Sequence, residues 1–136
     1  MNDCLFCKII KGEIPSHKVY EDDNVFAFLD IAPVNYGHTL VVPKEHFKNL
    51  EEISEDKLCH LIKVVKKIGK AIKEGLDYSG YNISVNNDPV AGQIIPHLHF
   101  HIIPRKENDG LSLWPQGKYE EGEAEKIANK IKNVLI

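Results

Sequence analysis

What this chain of 136 residues lacks excludes several broad classes of function. It has only three cysteines, and an odd number cannot close into a full disulfide framework, so reduced thiols in a reducing compartment are expected. No stretch approaches the roughly 18 consecutive apolar residues of a membrane span. Residues 1–10 lack the basic start and long apolar core of a signal peptide, which makes the cytoplasm the expected location. The formal net charge of −3 gives no general attraction for nucleic acid, so an anionic ligand would have to be held by local design. Internal repeats, low-complexity tracts and linkers are missing too. A hydrophobic fraction of 43% and a charged fraction of 27% then suit one globular domain over residues 1–136, able to bury a core without disulfides.

What is present reads as strands, a helix, strands and a helix. Cys4 to Ile10 is short and apolar, and Gly12 and Pro15 follow it. His17 to Glu21 and Asn24 to Leu29 read as strands, with Asp22, Asp23 and Asn24 as the hairpin turn. His38 to Pro43 is a third strand stopped by proline. Ser54 suits an N-cap, with Glu55 and Asp56 in the first turn. Leu58, Leu61, Ile62, Val65, Ile68, Ile72 and Leu76 recur at helical spacing, which predicts a long helix over about 54–74 with Gly75 as its stop. Tyr81 to Val85 is a fourth strand and Pro96 to Pro104 a fifth. Ala124, Ile127, Ala128, Ile131 and Leu135 predict a C-terminal helix over about 120–136. This order points to an α+β fold with a five-stranded antiparallel sheet.

The most informative stretch is Pro96-His97-Leu98-His99-Phe100-His101-Ile102-Ile103-Pro104. Side chains of a strand alternate between faces, so His97, His99 and His101 share one face and Leu98, Phe100 and Ile102 the other. Packing alone gives no reason for three histidines in strict alternation. Two chemistries fit. The row can bind a catalytic metal, since His-x-His on a strand supplies two zinc ligands. Alternatively, an imidazole titrating near neutrality can attack phosphorus and form a covalent phosphohistidine, while its neighbours donate to the developing charge.

His97-Leu-His-Phe-His101-Ile-Ile resembles the His-x-His-x-His-x-x signature of the histidine-triad (HIT) family. Cys4-Leu-Phe-Cys-Lys-Ile-Ile, Gly12-Glu-Ile-Pro, Phe28-Leu-Asp-Ile-Ala-Pro33, Gly37-His-Thr-Leu-Val-Val-Pro-Lys-Glu-His46 and Ala91-Gly-Gln resemble further family segments in order, and Trp114-Pro115 resembles the tail of the Hint branch. The resemblance spans about residues 3–116. It implies a fold that dimerises into a ten-stranded sheet through the long helix and a strand. It also implies hydrolysis or transfer at the α-phosphate of a purine nucleotide, above all adenosine 5′-phosphoramidates or related adenylates. A dinucleoside polyphosphate hydrolase and a non-catalytic nucleotide-binding adaptor are the alternatives.

Carried over by position, His99 is the nucleophile and His101 and His38 support it. Asp30 resembles the ribose-binding acid, Phe28 and Ile31 fall in the base pocket, and Asn86 and Gln93 fall on the phosphate side. Where the family usually has Ser or Thr after the Gln, this chain has Ile94 and loses a hydroxyl donor.

The spacing Cys4-Leu-Phe-Cys7 is that of half a structural zinc site, and a redox pair is the other reading of the same motif. The resemblance implies His46 and His97 as the remaining zinc ligands and a closed, structural site. It also implies that Leu113 and Trp114 reach the partner subunit's site. Cys59 is expected in the core or an interface. His17 and His60 show no partner in the sequence and read as surface or structural residues.

Overall fold

The computed structural model describes residues 3–135. The chain runs α1 (Leu5–Ile10), β1 (Lys18–Glu21), β2 (Val25–Leu29), β3 (Thr39–Pro43), α2 (Glu55–Gly75), β4 (Gly80–Val85), a 3₁₀ turn (Pro89–Ala91), β5 (Phe100–Arg105) and α3 (Glu123–Val134). All strand pairs are antiparallel, in the order β1-β2-β3-β5-β4.

Both faces of the central strands are covered, which explains why β2 (VFAFL) and β3 (TLVVP) read as nearly unbroken apolar runs. Alternation divides their side chains. Val25, Ala27, Val41, Phe100 and Ile102 face α2 and form one core with Leu61, Val64, Val65, Ile68 and Ile72. Phe26, Phe28, Leu40 and Val42 face the other way, against Cys4, Phe6 and Ile9 of the N-terminal segment. The side chain of Ser54 caps α2 by accepting from Lys57 N. Gly69 lets α2 approach β4, because a Cβ there would lie 2.8 Å from the Tyr81 ring.

The structure corrects the expected elements in four places. The fifth strand begins at Phe100, not Pro96. Residues 95–97 bend, and Leu98 N donates to Phe47 O at 2.7 Å, so the backbone there pairs with a loop and not with a strand. Helix α2 includes Gly75, and the left-handed residue after it is Asp77 at φ 57°. The C-terminal helix starts at Glu123 behind Gly122 and buries no residue; Ile136 of the expected range lies outside the described residues. Cys59 is exposed on α2, which excludes the core and leaves the interface of the two expected places. Helix α1 and the 3₁₀ turn at Pro89–Ala91 were not expected as helices, and the remaining differences are shifts of a residue or two at element ends.

Candidate active site

The face of the sheet opposite α2 carries the histidines. The expected alternation holds across residues 97–102 although the ladder starts only at Phe100. Leu98 and Phe100 pack in the α2 core, while His97 and His99 both pack edge-on against Phe6, with ring centroids 5.9 and 5.0 Å away. His101 stands 4.9 Å from His99, centroid to centroid.

Each ring has a partner that assigns its tautomer, because a carbonyl oxygen only accepts and an amide N–H only donates. His97 Nε2–H donates to Pro43 O at 2.8 Å, which leaves the Nδ1 lone pair facing the cysteine sulfurs. His99 Nδ1–H donates to His97 O at 2.7 Å, so the Nε2 lone pair is the free one. Val34 N–H donates to His38 Nδ1 at 3.1 Å. His38 Nε2–H then donates to His101 Nδ1 at 2.9 Å, and the remaining proton of His101 sits on Nε2.

Burial favours the neutral form of all four rings. It is the largest cause lowering His38 and His99, and together with the neighbouring imidazoles it takes His97 and His101 from 6.5 to about 4. The Asp30 carboxylate opposes this at His38, His99 and His101 without overcoming it. Three histidines with identical sequence spacing thus acquire three different roles. One lone pair is turned to sulfur, one is free, and one ring presents a proton.

A cleft of about 350 Å³ opens beside this row. Leu5, Phe6, Ile9 and Ile14 of the N-terminal segment form an apolar wall together with Phe28 and Leu40, while Asp30, Asn86, His99 and His101 form a polar end. Ile31 and Ile94 line the same cleft and are 90% and 88% exposed. Asp30 Oδ1 accepts from Ala32 N, and Oδ2 lies 3.7 Å from His38 Nε2. Phe28, Asp30, Ile31, Asn86, His99 and His101 therefore gather at one cleft, with His38 directly behind them.

Gln93 is not brought there. It is buried between loops, its Nε2 donating to Lys48 O and Ile95 O and its Oε1 accepting from Asp88 N. Leu113 and Trp114 are exposed and line none of this cleft. His60, on α2, does have a partner, Asp22 of the β1–β2 turn, at 2.7 Å.

The apolar wall from α1 was not singled out in the sequence. Its signal was available, since Phe6 and Ile9 sit three apart and share a helix face. The Val34 amide that assigns the His38 tautomer is a backbone group and left no trace in side-chain chemistry.

On the other side of His97, Cys4, Cys7, His46 and His97 bring one ligand atom each to within 4.8 Å of one another. The sulfur–nitrogen separations are 3.4, 3.5 and 3.6 Å. A tetrahedral zinc with Zn–S of about 2.3 Å and Zn–N of about 2.05 Å requires a sulfur–nitrogen edge of about 3.5 Å, so the set fits that ion. The Pro43 carbonyl on His97 Nε2 is the outer hydrogen bond that orients a metal-binding imidazole. Burial, helped by Cys4, raises the Cys7 thiol to about 11, and a cation would have to displace that proton. His97, His99 and His101 do not converge on one point, because the His97 lone pair faces the cysteines and His99 Nδ1 is held by a carbonyl.

Among the described residues no helix is long and apolar enough to cross a membrane. Residues 11–108 match the HIT domain family. An uncharacterised HIT-like protein of Methanocaldococcus jannaschii is 59% identical over 107 residues, covering 79% of this chain and 82% of that one. Adenosine 5′-monophosphoramidase of Candida albicans is 42% identical over 140 residues, 97% of this chain and 91% of that one. A crystal structure of a HIT family member from Bacillus subtilis superposes with a TM-score of 0.91 at 41% identity, covering 98% of both chains. A zinc-bound histidine-triad protein of Mycobacterium smegmatis gives 0.78 at 34% identity, covering 97% and 98%. With the triad, its cleft and these matches in hand, the chain is a member of the HIT family.

Proposed function

We propose that this protein hydrolyses adenosine 5′-phosphoramidates or related adenylates through a covalent nucleotidyl–histidine intermediate on His99. The observation that carries the reading is the His99 tautomer: Nδ1–H is held by the His97 carbonyl, so the Nε2 lone pair faces the cleft on a ring that burial keeps neutral. The chemistry named for the Candida albicans relative belongs to the same class.

The purine stacks along the apolar wall of Phe6, Phe28 and Ile31, and the Asp30 carboxylate accepts from the ribose hydroxyls. His99 Nε2 attacks phosphorus and the bond from phosphorus to the leaving amine breaks; the amine departs with the electron pair and takes the Nε2 proton of His101, which a water in the cleft replaces at once, so that ring stays neutral. The hydroxide so formed attacks phosphorus, the bond from phosphorus to His99 breaks, and AMP is released with both rings in their starting tautomers. Asn86 at the polar end donates to the phosphoryl oxygens.

Zinc at Cys4, Cys7, His46 and His97 plays a structural part. It supplies a fixed tether of the N-terminal segment to the histidine segment and no open position for substrate. We also propose that the chain pairs as a homodimer through β4 and α2. β4 is one of the two edges of the sheet among the described residues, next to α2 in the fold, and Ile83 on it and Ile62 on α2 are exposed. Light scattering on wild type and on Ile83→Lys tests this. The variant should run at half the mass, and a wild-type monomer refutes it.

The decisive experiment is AMP release from adenosine 5′-phosphoramidate by wild type and His99→Ala, with acid-quenched protein analysed by mass. Wild type should accumulate protein carrying one nucleotidyl group, and His99→Ala should bind AMP without turnover. Turnover by the variant refutes the nucleophile. Binding without turnover by wild type leaves a nucleotide-binding module.

A further inference from the structure

Four hydrogen bonds join segment 47–50 to the chain between Asn87 and Leu98. Leu98 N donates to Phe47 O at 2.7 Å and Gln93 Nε2 to Lys48 O at 2.6 Å. Asn49 Nδ2 donates to Asp88 Oδ1 at 3.1 Å, and Leu50 N to Asn87 Oδ1 at 2.8 Å. Gln93 and Asn49 are the buried side chains of this seam, 5% and 7% exposed, and neither lines the cleft.

Gln93 also closes its own loop. Its Oε1 accepts from Asp88 N, and its Nε2 donates a second time, to Ile95 O. Inside that loop Asp88 sits at φ 75°, a left-handed backbone costly for a non-glycine residue, which the surrounding bonds must hold in place. The same loop carries Asn86, Gly92 and Ile94 to the cleft, and it is followed directly by His97 and His99. Segment 47–50, for its part, begins next to His46.

We propose that Gln93 is a positioning residue: with Asn49 it locks the cleft loop, residues 86–95, onto segment 47–50, and it acts on the reaction through that loop without touching substrate. The proposal rests on the adenylate-hydrolase reading given above. It replaces the phosphate-side role that the family resemblance implies for Gln93 with a mechanical one. The amide of Gln93 already has a partner for its oxygen and two for its nitrogen, which leaves it nothing to offer a phosphate. The lock joins the segment adjoining the Cys/His set to the polar end of the cleft, so the loop's place depends on both.

The test uses the full-length chain and three variants, Asn49→Ala, Gln93→Glu and His99→Ala, with turnover of adenosine 5′-phosphoramidate and hydrogen exchange of the amides of residues 87–95 as the two readouts. Asn49 lines no part of the cleft, so Asn49→Ala separates the lock from a direct contact. The lock predicts a loss of roughly tenfold in kcat/KM, the scale of one buried hydrogen bond, with faster exchange confined to the loop. Gln93→Glu places a carboxylate against the carbonyls of Lys48 and Ile95 at neutral pH. Protonation restores one donor, so its kcat/KM should climb toward wild type as the pH is lowered to about 5, a recovery a general loss of stability would not show.

Wild-type turnover and wild-type exchange in Asn49→Ala overturn the proposal. So does a Gln93→Glu deficit that does not change with pH. If wild type itself does not turn over, the enzymatic reading fails, and the exchange measurement still decides whether the lock exists. Unaltered activity in His99→Ala removes the nucleophile and leaves the lock standing.

Discussion

Acidification should destabilise this protein through His101 in a way that can be isolated. The ring is flanked by His38 and His99, and burial brings its pKa from 6.5 down to about 4. The folded-state value is the depressed one. As pH falls, the unfolded chain takes up a proton that the folded chain refuses, so the stability contributed by the neutral ring is fully present above about pH 6.5 and is lost on the way down to about pH 4. At about 1.4 kcal/mol per unit, and discounted for partial solvent access, His101 should account for about 1 kcal/mol of stability lost between about pH 7.5 and pH 5.5.

The assay is urea unfolding of wild type and His101→Asn at those two pH values. Asparagine retains an acceptor for His38 Nε2–H and removes the titration. Wild type should lose more stability than the variant by that amount. Equal losses would mean that the ring is not held neutral by the fold, and the tautomer chain from Val34 through His38 to His101 would lose its electrostatic basis.

The parts of this structure that were legible in the sequence are those written in side-chain period. The long helix followed from its apolar spacing and its Ser54 cap. The strands β2 and β3 followed from their Val- and Phe-rich runs, although the burial of both their faces was seen only in the structure. The shared face of His97, His99 and His101 followed from alternation and survived even though the hydrogen-bonded strand starts three residues after His97.

The illegible parts were written in backbone contacts. Nothing in the letters of the sequence shows that the carbonyl of residue 97 fixes residue 99, or that the amide of Val34 fixes His38. Gln93 shows the same limit from the other side. Its position in the motif suggested a phosphate, but the carbonyls of Lys48, distant in sequence, and of Ile95, two residues on, had already taken its donors. The amphipathic C-terminal helix was recognisable as a helix, yet it buries nothing within this chain, because periodicity reports a face and not what covers it.

Three further outcomes follow from the site. His38→Ala removes the ring that holds the His101 tautomer, and should lower kcat by roughly 10- to 100-fold, the usual scale for a lost proton-transfer arrangement, with KM for an adenosine phosphoramidate little changed; steady-state kinetics decide, and an unchanged kcat refutes the relay. Phe6→Ala opens the apolar wall and exposes the rings of His97 and His99. It should raise KM more than it lowers kcat and cost about 3 kcal/mol of stability by denaturant unfolding, and an unaltered KM would mean that the wall does not hold the base.

The metal prediction reaches furthest, because His97 belongs to two systems at once. Its ring faces Cys4 and Cys7, and its carbonyl carries the His99 Nδ1 proton. Removing zinc with a chelator should therefore lower both the melting temperature and turnover, and re-addition should restore both. Because Cys7 must give up a proton held at about 11, metal affinity should rise with pH across the neutral range. Elemental analysis should find one zinc per chain in wild type and none in the Cys4→Ser, Cys7→Ser double variant. A double variant that keeps its zinc removes the Cys/His set as the binding site. Turnover that survives zinc loss unchanged would show that the Pro43 carbonyl alone holds His97, and through it the nucleophile, in register.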